Sequence, residues 1–225
     1  MSSDKAEKVP HQDLSLVPVH IVYRLKDSLP ASIIKKISLD RERDMERMEI
    51  KLRSTSTDRK NNARKEWVEM IEDKYEQRIE NAIHQRKCGP FYLSQEPIRK
   101  IVFDSWKWLE THRKIRIYAI CIMSNHVHIL LSTTTAARMD TGQLMKAHKS
   151  FTALNANKIL GRTGSPFWEV GYFDRNVRRG RFDRVFQYIL DNPVKAGLVK
   201  KWEEWPGTYV NFECERIEFP LSWAA

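Results

Sequence analysis

The sequence predicts an α+β domain in which helices pack against one face of an antiparallel sheet. Three observations carry this. Apolar residues alternate with polar ones over 19–26, the period of a half-buried strand. Two apolar runs, 115–122 and 126–132, are separated only by Met123-Ser124-Asn125, and strands joined so tightly must be antiparallel. The order of elements is strand, helices, strand, strand, helix, strand, helix, which does not build a parallel sheet.

Each element has its own signal. Residues 1–16 are polar and read as a loose arm, bounded at 1–18 by Pro18. Val19, Ile21, Tyr23 and Leu25 then face one way, and Asp27-Ser28-Leu29-Pro30 ends the strand. Residues 31–88 change character to mixed charge, with Trp67, Met70, Ile71, Tyr75 and Ile79 at helical spacing. They read as two helices separated by the polar "STSTDRKNN", a solvated helical insertion; a second binding module is the alternative. After Gly89-Pro90, Ser94 is placed to cap a helix over 95–112 whose inner face holds Ile98, Ile101, Val102, Ser105 and Leu109. A helix over 141–160 stops at Gly161, residues 166–177 read as a strand, and a helix over 181–191 stops at Asn192-Pro193. The domain so defined runs over 19–210, interrupted by 31–88, with a tail at 211–225.

Composition narrows the function. At 41% hydrophobic, the 225-residue chain can build a core. No run of about 18 apolar residues is present, so no membrane-spanning helix is expected. Cys88, Cys121 and Cys214 are too few and too scattered for a disulfide framework or a zinc knuckle. A cytoplasmic, nucleoid-associated protein is expected. The net charge is +10, and residues 138–201 alone hold thirteen basic and five acidic side chains. Basic residues concentrated in this way point to a polyanion, most often nucleic acid.

Three constellations bear chemistry. His126-Val127-His128 lies on a strand, where residues i and i+2 share a face, so both imidazoles can meet one divalent ion. On spacing alone, zinc hydrolases and ordinary histidines fit the pattern as well. In the helix from Arg181, the core stripe is Phe182, Val185, Phe186 and Ile189, and Tyr188 falls on its flank with Asn192 one turn on. Taken alone this is the pattern of a surface tyrosine. Around the same strand–helix junction cluster Arg175, Arg178, Arg179, Arg181 and Arg184, suited to phosphate, with Trp168, Tyr172 and Phe173 offering stacking faces.

In their order, "YAICIMSNHVHILLS" and "PFWEVGYFDRNVRRGRFDRVFQYILDNPVKAGLV" resemble the single-tyrosine HUH transposases, above all their REP-associated tyrosine transposase branch. "HIVYRLKDSLP" is similar to that family's first strand, while 31–88 lies outside the resemblance. Ser124 stands where proline is common, and Trp205-Pro206-Gly207-Thr208-Tyr209 departs from the family's usual closing motif. The resemblance implies a ferredoxin-like sheet and an HUH endonuclease fold. It implies that His126 and His128 hold one divalent metal, Mg or Mn, and that Asn192 can complete the coordination. It also implies that Tyr188 is the nucleophile, forming a 5′-phosphotyrosine and freeing a 3′-hydroxyl. The substrate so implied is single-stranded hairpin DNA, a palindromic repeat or an insertion-sequence end, gripped by the arginines and Lys195. A monomer is expected, with a homodimer as the alternative. Competing readings are a non-catalytic DNA-binding protein of the same fold, a replication-initiator nuclease, and a zinc hydrolase in which Tyr188 is idle.

Overall fold

Among the described residues five strands make one sheet: β1 (Val19–Arg24), β2 (Ile115–Ile122), β3 (His126–Thr133), β4 (Phe173–Asn176) and β5 (Thr208–Val210). They lie in the order β4-β1-β3-β2-β5, and every neighbouring pair is antiparallel. The helices are α1 (Ala31–Leu52), α2 (Thr57–His84), α3 (Glu96–His112), α4 (Thr141–Ile159), α5 (Phe182–Leu190) and α6 (Asn192–Lys195). This computed structural model describes residues 13–53, 57–85, 89–178 and 180–212. The chain divides into two compact units, one of residues 27–90 and one of residues 1–26 with 91–225. Among the described residues no helix is long and apolar enough to cross a membrane.

The sheet carries a different core on each face. On one, Val19, Ile21, Tyr23 and Leu25 join Val127, Ile129 and Leu131 against Ile98, Val102 and Trp106 of α3 and Leu144 and Met145 of α4. On the other, Tyr118, Ala119, Cys121 and Leu130 meet Ile189 and Leu190 of α5, with Phe182, Val185 and Phe186 packed at the margin. Each such Leu or Ile contributes about 1.5–3 kcal/mol by leaving water. The expected antiparallel sheet with α3 and α4 on one face is present, and α5 covers the other face. A bulge makes two-sided burial of β2 workable: Ile117 pairs Leu131 and Ala119 pairs Leu130, leaving Tyr118 over. Ile115 and Ile117 therefore share a face with Ile120 and Ile122 despite the change of parity.

Several boundaries differ from the sequence reading. Only residues 173–176 of the expected strand 166–177 pair as a strand; Trp168 makes a single bridge to Leu25, and its indole N–H donates to Thr152 Oγ1 at 2.9 Å. Helix α2 starts within the polar spacer, because Ala63, Trp67 and Val68 must already be helical to pack on Met48, Leu52 and Ile71. Gln95, not Ser94, precedes α3, and its side chain makes no cap; Pro97 opens the helix instead. Residues 14–15 of the polar arm are tied to the domain: Leu14 is buried and exchanges backbone hydrogen bonds with Met139, and Ser15 O accepts from Thr133 N. The 205–209 segment forms the β5 edge. Its Gly207 is required, since a Cβ there would lie 2.1 Å from Ile122 O.

Within the unit of residues 27–90, α1 and α2 pair as a hairpin. Met48, Leu52 and Ile71 form its seam, flanked by ion pairs Lys74–Asp44 at 2.7 Å, Arg64–Glu49 at 2.9 Å and Arg78–Asp40 at 3.3 Å. Such exposed pairs contribute little, so the apolar seam does most of the holding.

A buried polar chain joins β1, α3 and α4. Trp106 Nε1 donates to Tyr23 Oη at 2.8 Å, leaving the Tyr23 hydroxyl to donate to His148 Nε2 at 2.7 Å; His148 Nδ1–H then donates to Ser105 Oγ at 2.9 Å. The arrangement requires a neutral His148, and burial, with Lys149 nearby, pushes its pKa down to about 3. An unfolded histidine titrates near 6.5, so below that pH the unfolded chain takes up a proton that the native chain refuses. Native stability should therefore fall by up to about 1.4 kcal/mol per pH unit between roughly pH 6.5 and 3. Urea unfolding over this range should be shallower in pH by about one proton in His148→Gln, whatever that change costs at neutral pH. Parallel pH profiles for the two proteins would remove His148 from the acid response.

Candidate active site

Register places the site. Val22 pairs His128 and Arg24 pairs His126 across β1 and β3, while Arg175 of β4 pairs His20. Residues opposite one another on neighbouring strands share a face. His20, Arg24, Arg175, His126 and His128 therefore project to the α5 side, away from the α3–α4 core. The His126 and His128 rings are buried, with centroids 4.9 Å apart and planes at 75°. The shared strand face expected for the pair is present.

Helix α5 brings Tyr188 to them. Ile189 and Leu190 are buried against the sheet, and this sets Tyr188 on the flank, half-buried. Its ring stands edge-on to both His128 and His20, each at 6.2 Å between centroids. Lys195 Nζ lies 4.1 Å from the Tyr188 ring centroid, a cation–π contact.

Hydrogen bonds fix each polar group. His126 Nδ1 is 2.8 Å from Asn125 Oδ1; the amide oxygen only accepts, so Nδ1 carries the proton and Nε2 the lone pair. His128 Nδ1 is 3.1 Å from His20 Nε2, and the two rings stack with centroids 5.3 Å apart and planes 14° apart. Burial, helped by the Arg175 guanidinium, pushes the His20 pKa down to about 3 and keeps that ring neutral. Asn192 is fully buried just after α5; its Nδ2 donates to Tyr188 O at 2.9 Å and Ile189 O at 3.3 Å. Only the amide NH₂ can serve two carbonyls, so Oδ1 is the other arm, and it is buried without a hydrogen bond. The ligating nitrogens of His126 and His128 lie within 4.8 Å of one another, a donor pair that suits a divalent cation.

The basic residues divide by exposure. Arg178, Arg181 and Arg184 are exposed at and after the entry to α5, and so is Lys195; Arg175 is half-buried beside His20. Arg179 lies outside the described residues. Two site residues escaped the sequence reading. Asn125 passed as a turn residue although it directly precedes the histidine pair, and His20 passed as the polar half of an alternating strand.

Comparisons with known proteins find similarity to transposases. Residues 90–192, which include both histidines, Tyr188 and Asn192, match the family model described as Transposase IS200 like. A Haemophilus influenzae protein described as a REP-associated tyrosine transposase is 23% identical over 129 residues, spanning 53% of this chain and 73% of that one. The solved structure of a REP-associated tyrosine transposase bound to a REP hairpin is similar in fold, with a TM-score of 0.52 at 12% identity over 90% of this chain and 81% of the other. Residues 90–192 are thus similar to the IS200-like transposases, and the chain is similar to a REP-associated tyrosine transposase.

Proposed function

We propose that this protein is a metal-dependent single-stranded DNA endonuclease and strand transferase that acts on hairpin DNA through a covalent 5′-phosphotyrosine. The observation that carries the reading is the Tyr188 ring set edge-on to His128, beside the buried pair His126 and His128.

His126, His128 and Asn192 would hold the ion, Mg or Mn. When bound, it supplies a Lewis acid to a nonbridging phosphate oxygen. The Tyr188 oxygen attacks phosphorus, and the bond from phosphorus to the 3′ oxygen breaks. The phenolic proton is lost and the departing 3′ oxygen gains one. The phosphodiester energy stays in the new linkage, so a 3′-hydroxyl can later attack it and rejoin strands without ATP. Lys195, against the Tyr188 ring, balances charge that builds on the reacting phosphate. Arg178, Arg181 and Arg184 are exposed where the flanking strand would run, and Arg175, beside His20, adds positive charge at the site. A single strand lets tyrosine reach a phosphate directly, which a duplex groove hampers. The protein would act as a monomer in the cytoplasm, at the nucleoid.

The test is a denaturing gel of the protein with hairpin DNA labelled at the 5′ or the 3′ end, with and without Mn. A protein-linked band should carry the 3′ label only and should require the metal. A hairpin complex that forms under native conditions but gives no covalent band would identify a binding protein of the same fold. A linked 5′ label would reverse the proposed polarity.

A further inference from the structure

We infer that His20 is a positioning residue that orients His128 and places its proton, so that Nε2 is the nitrogen offered to a metal. The inference rests on the metal-site reading above and adds to it a residue from a different strand.

A neutral imidazole has one N–H and one lone pair. The bond between His20 Nε2 and His128 Nδ1 therefore contains one proton, held by one partner or the other. If His20 donates it, the His128 proton sits on Nε2 and that nitrogen cannot ligate. If His128 donates it from Nδ1, Nε2 is left with its lone pair. The neighbouring ring has only the second arrangement open to it, because Asn125 Oδ1 cannot donate to His126 Nδ1. With both Nδ1 atoms engaged in hydrogen bonds, the pair can share one ion through its two Nε2 atoms, and His20 is the acceptor that gives His128 this form. The partner of a ligand's other ring nitrogen commonly decides which nitrogen binds.

The contact is more than one hydrogen bond. His20 lies on β1, diagonal to His128 on β3, and the two rings stack nearly parallel. Tyr188 stands edge-on to both rings, so His20 braces the ligand and the proposed nucleophile together. Removing the ring should therefore disturb metal affinity even though His20 is not itself a ligand.

The test uses the full chain and Mn alone, without DNA, on wild type, His20→Leu, His20→Gln and the double variant His126→Ala/His128→Ala. Calorimetry should give roughly 10–100-fold weaker Mn binding for His20→Leu, with recovery to within about threefold for His20→Gln, whose amide can accept from His128 Nδ1. Nitrogen-15 spectra of histidine-labelled protein without metal should place the wild-type His128 proton on Nδ1, the signal being assigned with His128→Ala. Wild-type affinity in a folded His20→Leu protein overturns the inference, as does a His128 proton on Nε2. If His20→Leu does not fold, the wild-type spectrum alone decides. Equal Mn binding by wild type and the double variant would instead overturn the metal-site reading, a result distinct from either of these.

Discussion

Tyr188→Phe should abolish the covalent protein–DNA adduct while leaving the fold and hairpin binding intact. The substitution removes one oxygen. The phenyl ring keeps the edge contacts to His20 and His128 and remains under Lys195 Nζ. Packing of α5 rests on Ile189 and Leu190, which are untouched. Losing the attacking atom should slow adduct formation by roughly 10⁴-fold or more, about 5.5 kcal/mol of barrier, because among the described residues no other tyrosine ring stands against both His20 and His128. The measurements are the denaturing gel for adduct and anisotropy of labelled hairpin for binding. The nearest alternative nucleophile by sequence, Tyr172, is poorly suited. It packs against the α3–α4 core, and burial together with Asp174, Asp140 and Asp13 holds its phenol protonated well above the ordinary range. Adduct formed by Tyr188→Phe at the wild-type rate would nevertheless remove Tyr188 from the chemistry.

What the sequence made legible was local. The β2–β3 hairpin follows from two apolar runs joined by a three-residue turn, the shared face of His126 and His128 from their i, i+2 spacing on a strand, and the α5 stripe from a period of 3.6. The features it missed depend on long-range pairing. His20 meets His128 across 108 residues of chain, and nothing in "VPVHIVYR" distinguishes a site histidine from a polar strand residue until register is known. Strand β5 has three residues and exists because Gly207 lets the chain approach β2; periodicity cannot show a contact. The bulge at Tyr118 had a visible signal, the change of parity from Ile117 to Ile120, which a reading of one uniform apolar strand passes over. Asn192 was legible as a neighbour of Tyr188, but its amide orientation depends on two helix-end carbonyls that only the folded turn supplies.

Removing the histidine pair should have the second large effect. His126→Ala and His128→Ala should each weaken Mn binding by at least about 100-fold and eliminate metal-dependent cleavage, since each deletes a proposed ligand and not merely its support. The two variants should differ in what else they lose. His126 is held by its own chain neighbour, Asn125, and its ring meets the edge of His128. His128 also stacks on His20 and meets the Tyr188 ring, so its removal opens a gap at the centre of the site and should lower thermal stability more. Hairpin binding should survive in both, because Arg178, Arg181 and Arg184 are exposed and on the proposed reading would contact phosphate and not the metal. Asn192→Ala is the informative companion. Its buried Oδ1 has no hydrogen-bond partner among the described residues, so as a ligand it should cost Mn affinity, whereas as a cap of α5 it should cost only stability through the lost bonds to Tyr188 and Ile189. Calorimetry with Mn, paired with thermal unfolding of each variant, separates these contributions. Unchanged Mn affinity in the double histidine variant would mean that the ion binds elsewhere, and Tyr188 would then have to act without a metal beside it.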